Sequence, residues 1–454
     1  MAGLAVLAKE LGFKVSGCDV KYYPPMSDQL EANKIKCIQG FDLDNMKIHP
    51  DLWIIGNVAT RGMPVIEKII SDKKNYMSGP EFLSKKILKD RPVIAVAGTH
   101  GKTTVSSMIT WLLECTGIKP GFLIGGIPIN FQKSARIGES NSPFVIEADE
   151  YDTSFFDKRS KFLHYPADYV VLNNLEFDHA DIFGDLDAIK RQFHHWIRTL
   201  GQNTVIYSNS ESNALDDVLS FGVWSKIKRF NDKQQLNLDW LHKNKENNFK
   251  VFNGSTKLGS VDSPISGEHN ASNFLVAYGI ASEFGVNFNQ AVKYFNEFKG
   301  VKRRLELKAT ISGIKIYDDF AHHPTAIEKT IEALRTISKH KVGTAELNRL
   351  IVVFEPRSNS LKLGHGKKQL AGSFKEADFI HVYDGSVNWD VKSALKNLGQ
   401  KVYVESNVQT ILQRLSSQVC KGDTVVFMSN GDFQGILRTF VEMLEIKKCN
   451  DKVS

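Results

Sequence analysis

Short apolar runs of four or five residues recur along the chain, separated by amphipathic stretches. This alternation predicts strands followed by helices, as in α/β units with a doubly wound parallel sheet. Leu4–Leu11 has helical periodicity, Phe13–Gly17 reads as a short strand and Leu52–Ile55 as another. The run Val93-Ile94-Ala95-Val96-Ala97 predicts a buried strand, and Ser106–Glu114 an amphipathic helix. Phe144–Ile146 and Tyr169–Leu172 are further strands that end in polar residues, which is where open α/β sheets carry their ligands. Residues 231 to 260 are polar, rich in Asn and Lys, and read as a hairpin excursion. The alternation then resumes with strands at Ile314–Ile316, Leu350–Phe354, Phe379–Val382, Val402–Val404 and Thr424–Met428.

Asp90-Arg91-Pro92 and Gly300-Val301-Lys302-Arg303-Arg304 mark boundaries, which gives units at 1–89, 90–300 and 301–454. A length of 454 residues fits roughly three domains. A doubly wound unit is expected to open with a strand and a glycine turn. This sequence opens inside a helix, as if that first strand were missing.

Composition narrows the class. Hydrophobic residues make up 42% and charged residues 24%, as in globular proteins that fold in water. No apolar run approaches the ~20 residues needed to cross a bilayer, and no leader pattern is seen at the start. The five cysteines (Cys18, Cys37, Cys115, Cys420, Cys449) are scattered without C-x-x-C spacing. They predict reduced thiols in a cytoplasmic protein, not a disulfide framework or a cysteine zinc site. A net charge of +7 favours anionic ligands. No arginine–aromatic stripe marks a nucleic-acid surface, so neither nucleic acid nor membrane is an expected partner.

The chemistry starts where the predicted strand meets the predicted helix, at Gly98-Thr99-His100-Gly101-Lys102-Thr103-Thr104. Such a turn aims free backbone N–H groups at a phosphate. Lys102 adds charge near the β- and γ-phosphates, and the Thr103 hydroxyl can hold Mg²⁺. Val96 stands where the strict phosphate-loop pattern has its first glycine. The bland alternative is an ordinary strand–helix turn with a surface lysine, and the flanking elements argue against it.

Glu147, Asp149, Glu150 and Asp152 put four carboxylates into six residues at a strand end. They form either a solvated acidic loop or a cation site, for which Glu147 is best placed. His179, between Asp178 and Asp181, is either a loop residue or a metal ligand. Asp318-Asp319-Phe320-Ala321-His322-His323-Pro324 follows a predicted strand and lines a site, or caps the helix that Pro324 starts. Arg303 and Arg304 are either solvated linker residues or a clamp on a γ-phosphate. Asp19, just past a predicted strand, is either a ribose contact or a turn cap.

In this order, these pieces resemble the Mur ligase family of ATP-dependent amide-bond ligases over almost the whole chain. The motifs are the Gly98–Thr104 loop, Glu147-Ala148-Asp149-Glu150, Asn174-Leu175-Glu176-Phe177-Asp178-His179, His269-Asn270-Ala271-Ser272-Asn273, Arg303-Arg304 and Asp318–Pro324. The resemblance implies an N-terminal Rossmann-like UDP-binding domain, incomplete at its start. It also implies a central P-loop ATPase-type domain and a C-terminal Rossmann-like domain that binds the incoming peptide. By the same resemblance Gly98, Thr99, His100, Gly101, Lys102, Thr103 and Thr104 hold ATP. Thr103 and Glu147 hold one Mg²⁺ and His179 a second. His269, Asn270 and Asn273 contact the adenine side, and Arg304 with Asp318 or Asp319 closes over the γ-phosphate.

Within the family the chain looks most like the branch that joins UDP-N-acetylmuramate to the recycled tripeptide L-alanyl-γ-D-glutamyl-meso-diaminopimelate. The residues behind this are Tyr23-Pro24-Pro25-Met26-Ser27, Gly56-Asn57, Thr60-Arg61-Gly62, Phe354-Glu355-Pro356-Arg357-Ser358-Asn359 and Met428-Ser429-Asn430-Gly431. Substrate-side candidates are Asp19, Asn57, His322, His323, Arg357, Ser358, Asn359 and Asn430. The competing branch adds L-alanine and typically carries His-Arg-Tyr-Thr-Arg after Phe-x-Pro; here the run is Arg357-Ser358-Asn359-Ser360-Leu361. Many family members use a carbamylated lysine downstream of the metal histidine, and this chain has Phe193 at that spacing. Two readings from other classes are a nucleotide-binding relative without activity and a P-loop ATPase acting on nucleic acid. The latter leaves His322-His323 unexplained.

Overall fold

The longest apolar runs become the inner strands of two large sheets. A computed structural model describes residues 1–42, 48–240, 247–339 and 349–450. The central sheet has ten strands, with Val93–Ala97 between Phe144–Glu147 and Tyr169–Leu172, both parallel to it. Alternate residues of Val93–Ala97 enter different cores. Ile94 and Val96 pack under the helices Lys102–Cys115 and Glu268–Ser282. Val93, Ala95 and Ala97 face Phe162, Phe193 and Trp196 on the other side. The period of two with both faces covered explains the unbroken apolar run.

The chain leaves Val93–Ala97 for Gly121–Leu123 and Phe144–Glu147 on one side, then returns to Tyr169–Leu172 on the other. The C-terminal ends of three strands therefore open into one crevice at the point where strand order reverses.

Residues 303 onward build a six-stranded sheet in the order Glu306–Ile311, Ile314–Asp319, Thr424–Met428, Leu350–Phe354, Phe379–Tyr383, Val402–Glu405. All neighbours are parallel except the first pair. Leu350, Val352 and Phe354 face one core, and Ile351 and Val353 the other. The N-terminal stretch carries two parallel pairs, Ser16–Asp19 with Lys36–Gln39 and Trp53–Ile55 with Tyr76–Ser78. It docks on the central unit where Gln29 accepts from the Ser134 N–H (2.7 Å) and hydroxyl (2.9 Å).

Several elements differ from the pattern-based expectation. The strand expected at Phe13–Gly17 starts at Ser16, because Gly12 ends the helix at φ +89° and Phe13 packs edge-on against Phe82. The hairpin expected at 231–260 is present, its strands Leu236–Trp240, Asn248–Asn253 and Thr256–Asp262 antiparallel, but it extends the edge of the central sheet; 241–246 lie outside the described residues. Glu306–Ile311 was not legible, since its outward positions are polar on an exposed edge. Asp318 and Asp319 do not follow their strand but end it. No helix among the described residues is long and apolar enough to cross a membrane.

Candidate active site

The loop after Val93–Ala97 needs both of its glycines. Gly98 has φ +138°, and a Cβ there would sit 2.9 Å from the Asn174 carbonyl oxygen; Gly101 has φ +82°, and a Cβ would reach 2.5 Å from Asn173 Nδ2. Neither position tolerates a side chain. The helix Lys102–Cys115 starts without a side-chain cap, which leaves its first N–H groups for an anion.

Lys102 Nζ donates to the Gly98 carbonyl (2.6 Å) and to Glu150 Oε2 (2.8 Å), and Glu150 Oε1 meets His179 Nε2 at 3.1 Å. Glu150 thus joins the loop lysine to the predicted metal histidine. Burial opposes charge on Lys102, but Glu150, Asp149 and Glu147 outweigh it and hold its pKa above the ordinary value. Burial likewise opposes protonation of His179, and the Glu150 contact raises it nonetheless. His179 has φ +56°, uncommon for a residue with a Cβ. Its N–H donates to Asp178 Oδ1 at 2.7 Å. Asp149 is paired with Lys161 at 2.7 Å.

Glu147 lies on the other side of the loop, near the Thr103 side chain and the Gly125 N–H, both of which favour its charged form. Its Oε1 is buried without a partner, and burial raises its pKa. An unpaired buried carboxylate oxygen beside a threonine hydroxyl suits a hard divalent cation. His179 is not in this set; it stands with Asp149 and Glu150.

Arg304 reaches the same place from the C-terminal unit. It is half-buried near Asp319, Glu147 and Arg303, and its guanidinium lies 5.0 Å from the Phe320 ring centre. The two aspartates divide their work. Asp319 Oδ2 accepts from the Leu305 N–H (2.6 Å), and Oδ1 from the Ala321 N–H (2.7 Å) and Thr330 (3.2 Å). It fixes the corner that carries Arg304. Asp318 pairs with Arg303 at 3.6 Å, and Arg303 donates to the Ser429 and Gly431 carbonyls.

His269 is neutral, its pKa pushed down to about 4 by burial, with Lys329 and Arg304 adding to the shift. Asn273 is placed against the loop: its Oδ1 accepts from Asn173, whose amide also donates to the His100 carbonyl. Asn270 in turn accepts from Asn273 at 3.3 Å.

Asn359, expected on the substrate side, and two residues outside the expected set, Ser360 and Thr325, bridge the crevice. Ser360 donates to Asp178 Oδ1 at 2.6 Å, Asn359 to Asp181 at 2.7 Å and Thr325 to Glu176 at 2.7 Å, all across the junction of the two large units. Glu176, Asp178 and Ser360 carry no signal on their own, because each contact joins segments far apart in sequence. Beside them is a cleft of about 560 Å³ lined in part by Glu176, His322, His323, Ser358, His365 and Lys375. His322 Nδ1 lies 2.9 Å from the Phe320 carbonyl, and burial pushes its pKa down to about 4. Ser358 caps the short helix Asn359–Lys362. Arg357 packs against Gly431, next to Asn430, whose Oδ1 is buried and unpartnered. Asp19 and Asn57 lie in the N-terminal stretch. At the Asp19 turn the backbone carbonyl, not the carboxylate, takes the Gly40 N–H. Phe193 is fully buried and packs edge-on against Phe162 at 5.1 Å.

Three family models match in order: "Mur ligase family, catalytic domain" over 1–91, "Mur ligase middle domain" over 96–281 and "Mur ligase, glutamate ligase domain" over 303–431. The chain is 44% identical to the UDP-N-acetylmuramate–L-alanyl-γ-D-glutamyl-meso-2,6-diaminoheptandioate ligase of Escherichia coli K12, covering 98% of this chain and 96% of that one. It is 28% identical to a UDP-N-acetylmuramate–L-alanine ligase of Endomicrobium trichonymphae, over 93% of this chain and 88% of that one. A crystal structure of the murein peptide ligase of Psychrobacter arcticus 273-4 superposes with a TM-score of 0.76 at 38% identity, covering 98% of this chain and 96% of that one.

Proposed function

The chain belongs to the Mur ligase family, and from that premise we infer that it is the ATP-dependent ligase joining UDP-N-acetylmuramate to L-alanyl-γ-D-glutamyl-meso-diaminopimelate in peptidoglycan recycling. The observation that carries the chemistry is the convergence of Lys102, Thr103 and Arg304 on Glu147, from the central and C-terminal units. Phosphoryl transfer asks mainly for positioned charge, which this convergence supplies.

The lactyl carboxylate attacks the γ-phosphate in line, and ADP leaves. The peptide α-amine then attacks the acyl phosphate, and the tetrahedral intermediate collapses to amide and phosphate. Lys102 leaves Glu150 to meet the triphosphate, and Arg304 faces it from the closing unit. Thr103 and Glu147 would hold one Mg²⁺ ion, and His179 a second, and these would offset the phosphate charge. The contacts from Ser360, Asn359 and Thr325 keep the units together and water away from the acyl phosphate.

Arg357-Ser358-Asn359-Ser360-Leu361 and the roomy cleft beside His322 and His323 support a peptide over free alanine as the amine donor. Phosphate release from ATP and UDP-N-acetylmuramate is measured with tripeptide and with L-alanine, and the product is weighed. Turnover with tripeptide is expected; turnover with alanine alone overturns the assignment.

A further inference from the structure

We propose that His100, Glu176 and His323 form a transition-metal site that pins the C-terminal unit to the phosphate loop, with a borderline divalent cation such as Zn²⁺ as its ligand. His100 Nε2 lies 3.6 Å and His323 Nδ1 3.8 Å from Glu176 Oε2, and all three donor atoms fall within 4.8 Å of one another. Bonds of roughly 2.0–2.2 Å set tetrahedral ligand atoms about 3.4 Å apart. Two of the three edges are therefore already near the bonded geometry.

The donors are also prepared in other ways. Both imidazole nitrogens are shielded from solvent and face Glu176 Oε2 from beyond hydrogen-bond distance, at 3.6 and 3.8 Å, a costly state for a polar atom unless something meets it. His323 Nδ1 has no hydrogen-bond partner, so the tautomer with its proton on Nε2 offers the Nδ1 lone pair to a metal. Thr325 donates to Glu176 Oε2 at 2.7 Å, the kind of outer contact that orients a ligating carboxylate. The His100 backbone is clamped by Asn173 and Asn174: its N–H donates to Asn174 Oδ1 at 2.7 Å, and its carbonyl accepts from both amides at 3.0 Å.

Two imidazoles and one carboxylate suit zinc, with a fourth position toward the cleft that Glu176, His323 and Thr325 line. Magnesium prefers octahedral oxygen ligation, so this donor set selects against it. His100 belongs to the phosphate loop, and His323 directly precedes the helix Pro324–Lys339. A bound ion would tie the loop to the unit that must part from it for nucleotide exchange. It would inhibit in a way that excess Mg²⁺ does not reverse.

The test uses the full chain, stripped by a chelator and free of nucleotide, titrated with Zn²⁺ against a chromophoric competitor. One equivalent is expected to bind to the wild type and to His179→Ala, and at least about tenfold more weakly to His323→Ala and Glu176→Gln. Circular dichroism checks that each variant folds. Co²⁺ added to the wild type gives an independent measure through the intense visible bands of a four-coordinate ion. Absent binding, equal binding in His323→Ala and Glu176→Gln, loss in His179→Ala, or a weak octahedral Co²⁺ spectrum each overturns the proposal. None of these readouts depends on which peptide the enzyme uses.

Discussion

Replacing Glu150 by Gln keeps its volume and removes its charge at the point where Lys102 and His179 meet. The side chain is 3% exposed and that of Lys102 14%, so solvent does little to screen the pair. Removing one partner of a buried ion pair costs about 3–5 kcal/mol. Asp149 and Glu147 also act on Lys102, so part of that loss is recovered and about 2–3 kcal/mol is expected. Urea unfolding of the nucleotide-free protein measures it. Phosphate release provides the second reading. With the anchor that orients His179 gone, kcat is expected to fall at least about tenfold, as small displacements of positioned groups do. A variant within about 0.5 kcal/mol of wild type and with kcat within about twofold would show that Glu150 is a bystander.

Ser360→Ala removes the buried donor to Asp178 and the acceptor of the Ala180 N–H. About 1–3 kcal/mol of closure energy is lost, and small-angle scattering of the ligand-free protein should show a larger radius of gyration; an unchanged curve refutes it. His381 is fully buried, its Nε2 2.7 Å from Gln418 Oε1, and burial pushes its pKa down to about 4. A histidine kept neutral in the fold but titrating near 6.5 when unfolded contributes stability above pH 6.5 that is lost as pH falls toward 4. The loss is about 3 kcal/mol. His381→Phe should show a shallower fall in the urea midpoint between pH 7 and 4.5, and parallel curves would refute this.

The phosphate loop was legible because its reasons are local: an apolar strand, two glycines that cannot carry a Cβ and a helix start. Glu147 was legible for the same kind of reason, as it ends a strand. Glu150 shares that acidic run, but its importance comes from Lys102 and His179, which only the fold brings within 3.1 Å. Glu176, Asp178 and Ser360 act across a junction between units, and no periodicity encodes such a contact. Asp318 and Asp319 could not be told apart until their oxygens had partners. The strands of the C-terminal sheet read well because both faces are covered, and the exposed edge strand Glu306–Ile311 did not.

A lysine becomes a carbamate only by capturing dissolved carbon dioxide on its neutral amine. Phe193 offers no amine, and its ring is sealed against Phe162 at a place no gas-derived group could be grafted. The anionic neighbours of His179 include Glu150 and Asp149, donors the ribosome installs. Position 193 therefore contributes no carbamate to this centre, and the carboxylates beside His179 are in place as soon as the chain has folded.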